Sequence, residues 1–102
     1  MNPQLDEARR GLAALPLHLH GGLLRYIEHG IRPGAFLCHV IENDLLGGVC
    51  HAGDGIGLDE LRRLAQFLYN DCPSQCHGSK SKRFDWEGMG GLAGQDRERP
   101  RD

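Results

Sequence analysis

Apolar side chains recur every three to four positions along three stretches of the chain, which is the period of a helix with one buried face. The stretches cover residues 16–29, 33–48 and 58–70. No stretch alternates apolar and polar residues for long enough to predict a β-strand. The pattern therefore predicts an all-α fold, a small bundle of three principal helices.

Proline and glycine set the boundaries of these helices. Pro16 and Pro33 stand at predicted helix starts, where a backbone N–H has no partner inside the helix. Gly30 follows His29, at a point where a helix end favours a left-handed residue. Segment 53–57 contains three glycines and is predicted to be a loop.

The second and third principal helices each carry an apolar stripe that we expect to be buried. The stripes consist of Phe36, Leu37, Val40, Ile41 and Leu45 in one helix, and of Leu58, Leu61, Leu64, Ala65 and Leu68 in the other. The short connection between the two helices favours an antiparallel pair.

The ends of the chain predict shorter elements. Asn2 and Pro3 are typical of the start of a first short helix, and Ser79 or Ser81 of the start of a last one that carries Phe84 and Trp86. Residues 1–87 are therefore predicted to form a single helical domain. Residues 88–102 are rich in glycine and then in alternating charges, which predicts a flexible, disordered C-terminal tail.

Length and charge limit the class of protein. The chain has 102 residues, enough for one domain, and a formal net charge of -2, so nucleic acid is not expected as a general partner. It shows no signal peptide and no apolar run long enough to span a membrane, which predicts a cytoplasmic location and no membrane partner. In that compartment the four cysteines are expected to be thiols, metal ligands or small core residues.

Cysteine and histidine are neighbours at three places, namely Cys38-His39, Cys50-His51 and Cys76-His77. A structural zinc site needs four ligands, usually supplied as close pairs, and only Cys72 and Cys76 have that spacing. Adjacent residues of a helix point about 100° apart and do not easily chelate one ion together. We therefore expect no cofactor or metal. The alternative is a zinc-stabilised module that uses Cys72, Cys76 and two of His77, Cys38, Cys50 or His51.

Three consecutive polar residues, Glu42, Asn43 and Asp44, interrupt an otherwise apolar helix. Asp44 lies close to the buried stripe and needs a hydrogen-bond partner, so it is interpreted first as a cap for a helix end. The alternative is a polar anchor in a binding surface, which gives the partner-binding candidates Arg25, Tyr26, Asn43, Asp44, Tyr69 and Asn70. A further alternative is a nucleotide or other small ligand held near Arg25, Tyr26 and Asn43. No nucleophile lies in a catalytic motif, so no catalytic residue and no enzyme activity are predicted.

Several short motifs occur together between residues 16 and 87. They are Arg25-Tyr26, His29-Gly30-Ile31, Pro33-Gly34, Phe36-Leu37, Asn43-Asp44-Leu45, Phe67-Leu68-Tyr69-Asn70, Pro73, Gly78-Ser79 and Trp86. In this order they resemble a family of short uncharacterised proteins encoded by bacteriophages and prophages of proteobacteria. The sequence departs from that family at Cys38, His39, Cys50, His51 and Cys72, which argues against a family-wide metal site, and at Arg32.

The resemblance implies a small accessory protein that acts in the cytoplasm of a bacterial host. Such a protein is expected to work without catalysis, as an inhibitor or adaptor that binds a host or phage protein, including components of host defence systems. Glycine pairs at residues 21–22 and 47–48 permit close helix contacts within one chain or between chains. The sequence therefore leaves a homo-oligomer open.

Overall fold

The computed structural model describes residues 2–51 and 57–98. In these ranges the chain forms seven α-helices and one short 3₁₀ turn, and no strand. The elements are α1 (Pro3–Leu12), α2 (Leu17–His29), α3 (Ala35–Ile41), α4 (Leu45–Cys50), α5 (Leu58–Asp71), the 3₁₀ turn (Ser74–Cys76), α6 (Lys80–Met89) and α7 (Gly91–Glu98). The predicted all-α fold is confirmed.

Local capping explains where α1, α2 and α6 begin or end. The Asn2 side chain accepts hydrogen bonds from the first turn of α1, and the Ser79 hydroxyl accepts one from the N–H of Lys82 at 3.1 Å. Gly30 ends α2 in the left-handed region with φ 68°, as predicted. The first and third principal helices of the prediction correspond to α2 and α5.

The predicted helix 33–48 is wrong, because the chain breaks there into α3 and α4. Asn43 adopts a left-handed conformation with φ 65°. Its N–H donates to the Val40 carbonyl, and the N–H of Asp44 donates to the His39 carbonyl at 2.8 Å, so the end of α3 is closed. Asp44 then caps α4 by accepting the N–H of Gly47 at 3.0 Å. The cap predicted for Asp44 therefore lies between two halves of the expected helix.

The predicted flexible tail is also corrected for the described part of residues 88–102. Helix α6 extends to Met89, and α7 follows after Gly90 and Gly91, whose φ angles are 88° and 67°. Leu92 is buried, and α7 packs against α2. Tail residues 99–102 lie outside the described residues, as do residues 53–56 of the predicted loop.

The core is formed by side chains from α1, α2, α3, α5, α6 and α7. Its largest fully buried side chains are Trp86, Tyr26, Phe67, Leu23, Ile27, Ile41, Leu64 and Leu92. The Trp86 indole donates a hydrogen bond to the Tyr26 carbonyl at 2.9 Å, which fixes α6 against the end of α2.

One charged side chain, Arg83, is buried in this core. It is only 3% exposed and pairs with Glu42 at the end of α3 and with Glu87 in its own helix. Burial alone would lower the pKa of Arg83, but the hydrogen bonds to Glu42 and Glu87 outweigh it and raise the pKa. The paired guanidinium therefore joins α3 to α6.

Helix α4 crosses α3 closely because its middle consists of Gly47 and Gly48. A Cβ atom at Gly48 would lie 3.4 Å from a methyl carbon of Val40. This glycine pair thus serves a contact within the chain. Among the described residues, no helix combines the length and the apolar character that crossing a membrane requires.

Candidate functional site

Helix α4 leaves most of its apolar surface uncovered. Its six residues are Leu45, Leu46, Gly47, Gly48, Val49 and Cys50, and of these only Gly48 is buried. Leu45 is 74% exposed and Leu46 80% exposed, while Val49 is also exposed. The prediction that Leu45 belongs to a buried stripe is therefore wrong, because the break at Asn43 turns α4 away from the direction of α3.

Helix α5 buries less of its predicted stripe than expected. Leu64 and Leu68 are buried together with Phe67, but Leu61 is only half-buried and Ala65 is exposed. Leu58 is 84% exposed, so its predicted burial is wrong. One side of the α5 stripe, with Leu64 and Leu68, packs into the core. The other side, with Leu58 and Ala65, faces outward.

The uncovered flanks of α4 and α5 face each other across an open groove of about 420 Å³, which we call the α4–α5 groove. Its lining residues are Val40, Asn43, Asp44, Leu45, Gly48, Val49, Leu61, Ala65, Leu68, Tyr69, His77 and Gly78. The N–H of Gly78 donates to the carbonyl of Ile41 at 2.8 Å, which ties one side of the groove to the end of α3. The groove is thus an apolar cleft with a few polar groups.

Two titratable side chains of the groove, Asp44 and His77, have lowered pKa values. The N–H of Gly47, and after it the imidazole of His39, lower the pKa of Asp44. Burial lowers the pKa of His77, and the charge of Lys82 lowers it further. A hydrogen bond to the Leu68 backbone acts in the opposite direction. At neutral pH the groove therefore presents a carboxylate at Asp44 and a neutral imidazole at His77.

The structure brings three of the six predicted partner-binding residues together. Asn43, Asp44 and Tyr69 all line the α4–α5 groove. Arg25 and Asn70 are exposed but are not among its lining residues, and the guanidinium of Arg25 lies over Gly21 of its own helix.

Tyr26 is the sixth candidate, and the structure places it in the core. It is 1% exposed, and its hydroxyl donates a hydrogen bond to the Cys76 carbonyl at 2.6 Å. Burial, together with the neighbouring Cys76, raises the pKa of Tyr26. Tyr26 is therefore wrong as a partner contact, and a nucleotide site built on Arg25, Tyr26 and Asn43 lacks its aromatic member.

The predicted zinc ligands do not converge. Cys38 is buried and its thiol donates to the Pro33 carbonyl at 3.4 Å, whereas Cys50 is exposed. Cys72 lies against Cys76, and the hydrogen bond between the two thiols, together with burial, raises the pKa of Cys72. Across the described ranges, no three ligand atoms of Cys72, Cys76, His77, Cys38, Cys50 and His51 lie close enough to share an ion.

Sequence reasoning missed the groove itself and the contacts of His39 and Arg83. One signal was available, since Asn followed by Asp favours a left-handed residue and then an N-cap, which would have divided the predicted helix at residue 43. The pairing of Arg83 with Glu42 had no signal, because the two residues lie 41 positions apart.

Comparison with known proteins adds no relative to this description. No family of known proteins, no curated protein and no solved structure matches the chain. Membership of a phage protein family therefore stays a prediction from the resemblance.

Proposed function

We propose that this protein binds another protein without catalysis, and that the α4–α5 groove accepts an apolar helix of that partner. The observation that carries the proposal is the exposure of α4, a helix built only from apolar residues and glycine. A contiguous exposed apolar patch of this kind is typical of an interaction surface. An apolar helix that contributes residues at positions i, i+3 or i+4 and i+7 is a common occupant of such grooves.

The exposed side chains form a surface larger than the groove alone. Leu46 and Leu58 are strongly exposed and lie on the two groove helices without lining the groove. Complete burial of a leucine side chain contributes about 1.5–3 kcal/mol, so a partner that covers both groove and rim gains more than a small molecule in the groove. This extent supports a protein partner.

The polar residues of the groove support orientation and specificity. Asn43 and Asp44 lie at the α3–α4 break, and Tyr69 projects from α5 with most of its side chain in solvent. Tyrosine contributes a rigid apolar ring and a hydroxyl to an interface. In this proposal these three residues contact the partner, and Arg25 and Asn70 do not.

We also propose which class of protein the partner belongs to. The resemblance to phage and prophage proteins supports a bacterial host protein as the target, with this chain acting as an inhibitor or adaptor directed at a defence system. The exposed apolar groove is compatible with either action, since both require only stable association.

Affinity capture with matched variants tests this proposal. The full chain is immobilised and exposed to a lysate of the source organism, alongside Val49→Asp and a control, Leu17→Asp, which alters a leucine that is 82% exposed on α2. We expect a partner that is retained by the original chain and by Leu17→Asp but released by Val49→Asp. Equal retention by both variants, or retention by none of the three chains, would contradict the proposal.

A further inference from the structure

A cluster of metal-ligating side chains lies where α3 ends and α4 begins. Single ligand atoms of His39, Glu42 and Asp44 all lie within 4.8 Å of one another. Nδ1 of His39 is 2.8 Å from Oδ2 of Asp44. All three side chains are partly open to solvent, so an ion can reach them.

A second imidazole, that of His51, lies next to this cluster. Its ring stacks on the His39 ring with 4.7 Å between the centroids. Nδ1 of His51 lies 2.9 Å from the Gly47 carbonyl, which places the proton on Nδ1 and leaves the lone pair of Nε2 free. Because the two stacked rings are only 27° from parallel, their lone pairs do not point at one ion, and His51 orients His39 by packing rather than as a ligand.

A hydrogen bond from Arg83 orients the carboxylate of Glu42. Arg83 donates to its Oε1 at 2.6 Å, and Oε2 has no partner in that bond. Glu42, Glu87 and Asp44 bring three negative charges to this region, and Arg83 brings one positive charge. These four side chains carry an excess of negative charge, which a divalent cation compensates.

We propose that His39, Glu42 and Asp44 bind one divalent transition-metal ion, for which Zn²⁺ is the test ion. One imidazole nitrogen and two carboxylate oxygens, with a fourth position for water, suit zinc, whereas calcium and magnesium prefer sites made only of oxygen. The ion takes the place of the proton between His39 and Asp44. Because Asp44 also lines the α4–α5 groove, the bound ion fixes one wall of the groove to α3.

Metal titration of the full, untagged and metal-stripped chain tests this site. Zn²⁺ uptake is measured by calorimetry, and Co²⁺ uptake by visible absorption, which reports thiolate ligands through a charge-transfer band. The variants are His39→Asn and Asp44→Asn, and the control is His18→Asn, an exposed histidine of α2. Thermal unfolding without metal shows that each variant is folded.

We expect one ion per chain, no thiolate band, and affinity lower by about tenfold or more in His39→Asn and Asp44→Asn but unchanged in His18→Asn. Three results would overturn the site. They are absence of uptake at a large molar excess of metal, uptake that neither His39→Asn nor Asp44→Asn weakens, and a thiolate band that disappears in Cys72→Ser.

Discussion

The two tyrosines of this chain have opposite surroundings. Tyr26 is buried and its hydroxyl serves the Cys76 carbonyl, whereas Tyr69 is 85% exposed on the wall of the groove. The sequence could not separate them, because both lie in amphipathic helices beside apolar residues. Only the packing of the 3₁₀ turn against α2 decides which hydroxyl finds a buried partner.

The buried tyrosine gives the first prediction. Tyr26→Phe leaves the Cys76 carbonyl without its donor, so the free energy of unfolding should fall by about 1–2 kcal/mol in urea denaturation. Tyr69→Phe is the matched control and should change it by less than about 0.5 kcal/mol. Equal effects of the two substitutions would show that the Tyr26 bond is not buried as described.

His77 gives the second prediction, on pH. The folded state lowers its pKa, by burial first and then by Lys82, so below about pH 6.5 the unfolded chain binds more protons at this residue. The stability associated with neutral His77 is present above that pH and is lost as the pH falls through it. His77→Gln should therefore lose less stability than the original chain between about pH 7.5 and about pH 5.5. Identical losses in urea denaturation at the two pH values would be inconsistent with the described surroundings of His77.

At the scale of elements, the spacing of apolar residues predicted α2 and α5 well because each is a single helix with clear ends. It failed at residues 33–48, where the apolar stripe continues across a break made by backbone geometry. The left-handed Asn43 and the Asp44 cap redirect the chain without interrupting the stripe. The same period therefore predicted burial for Leu45, which the structure exposes.

The α6–α7 junction was missed for a related reason. Glycines at residues 88–94 are typical of a flexible tail, yet Gly90 and Gly91 form a tight turn, and Gly91 lies directly against Gly30. The glycines in the sequence indicate that the backbone can adopt such a turn. It does not report that α2 offers a surface to pack against.

The junction gives the third prediction. A Cβ atom at Gly91 would lie 2.6 Å from the backbone nitrogen of Gly30, and φ of 67° strains any other residue. Gly91→Ala should lower the free energy of unfolding by about 1–3 kcal/mol. Gly88→Ala, within α6 and with open space around it, should raise it by up to about 1 kcal/mol. A neutral effect of Gly91→Ala on the urea midpoint would argue that α7 does not dock on α2.

At the scale of the whole molecule, the residues that the structure describes form a helical fold with a hydrophobic core and an uncovered apolar cleft between α4 and α5. Periodicity shows which face of a helix is apolar, but it does not show what covers that face. The stripes of α4 and α5 were therefore predicted as core, and three of the six candidate contacts lie together in the cleft between them. The other three were chosen from residue type and position near helix ends, which carry no information on distance.

Site-specific photo-cross-linking shows whether the α4–α5 groove receives a partner protein. A photoreactive amino acid is placed at position 49 in α4 or, as the control, at position 17 in α2, and the chain is irradiated in a lysate of the source organism. We expect one discrete adduct with a different protein from position 49 and none from position 17. No adduct from position 49, the same adducts from both positions, or only an adduct between two copies of this chain would contradict it.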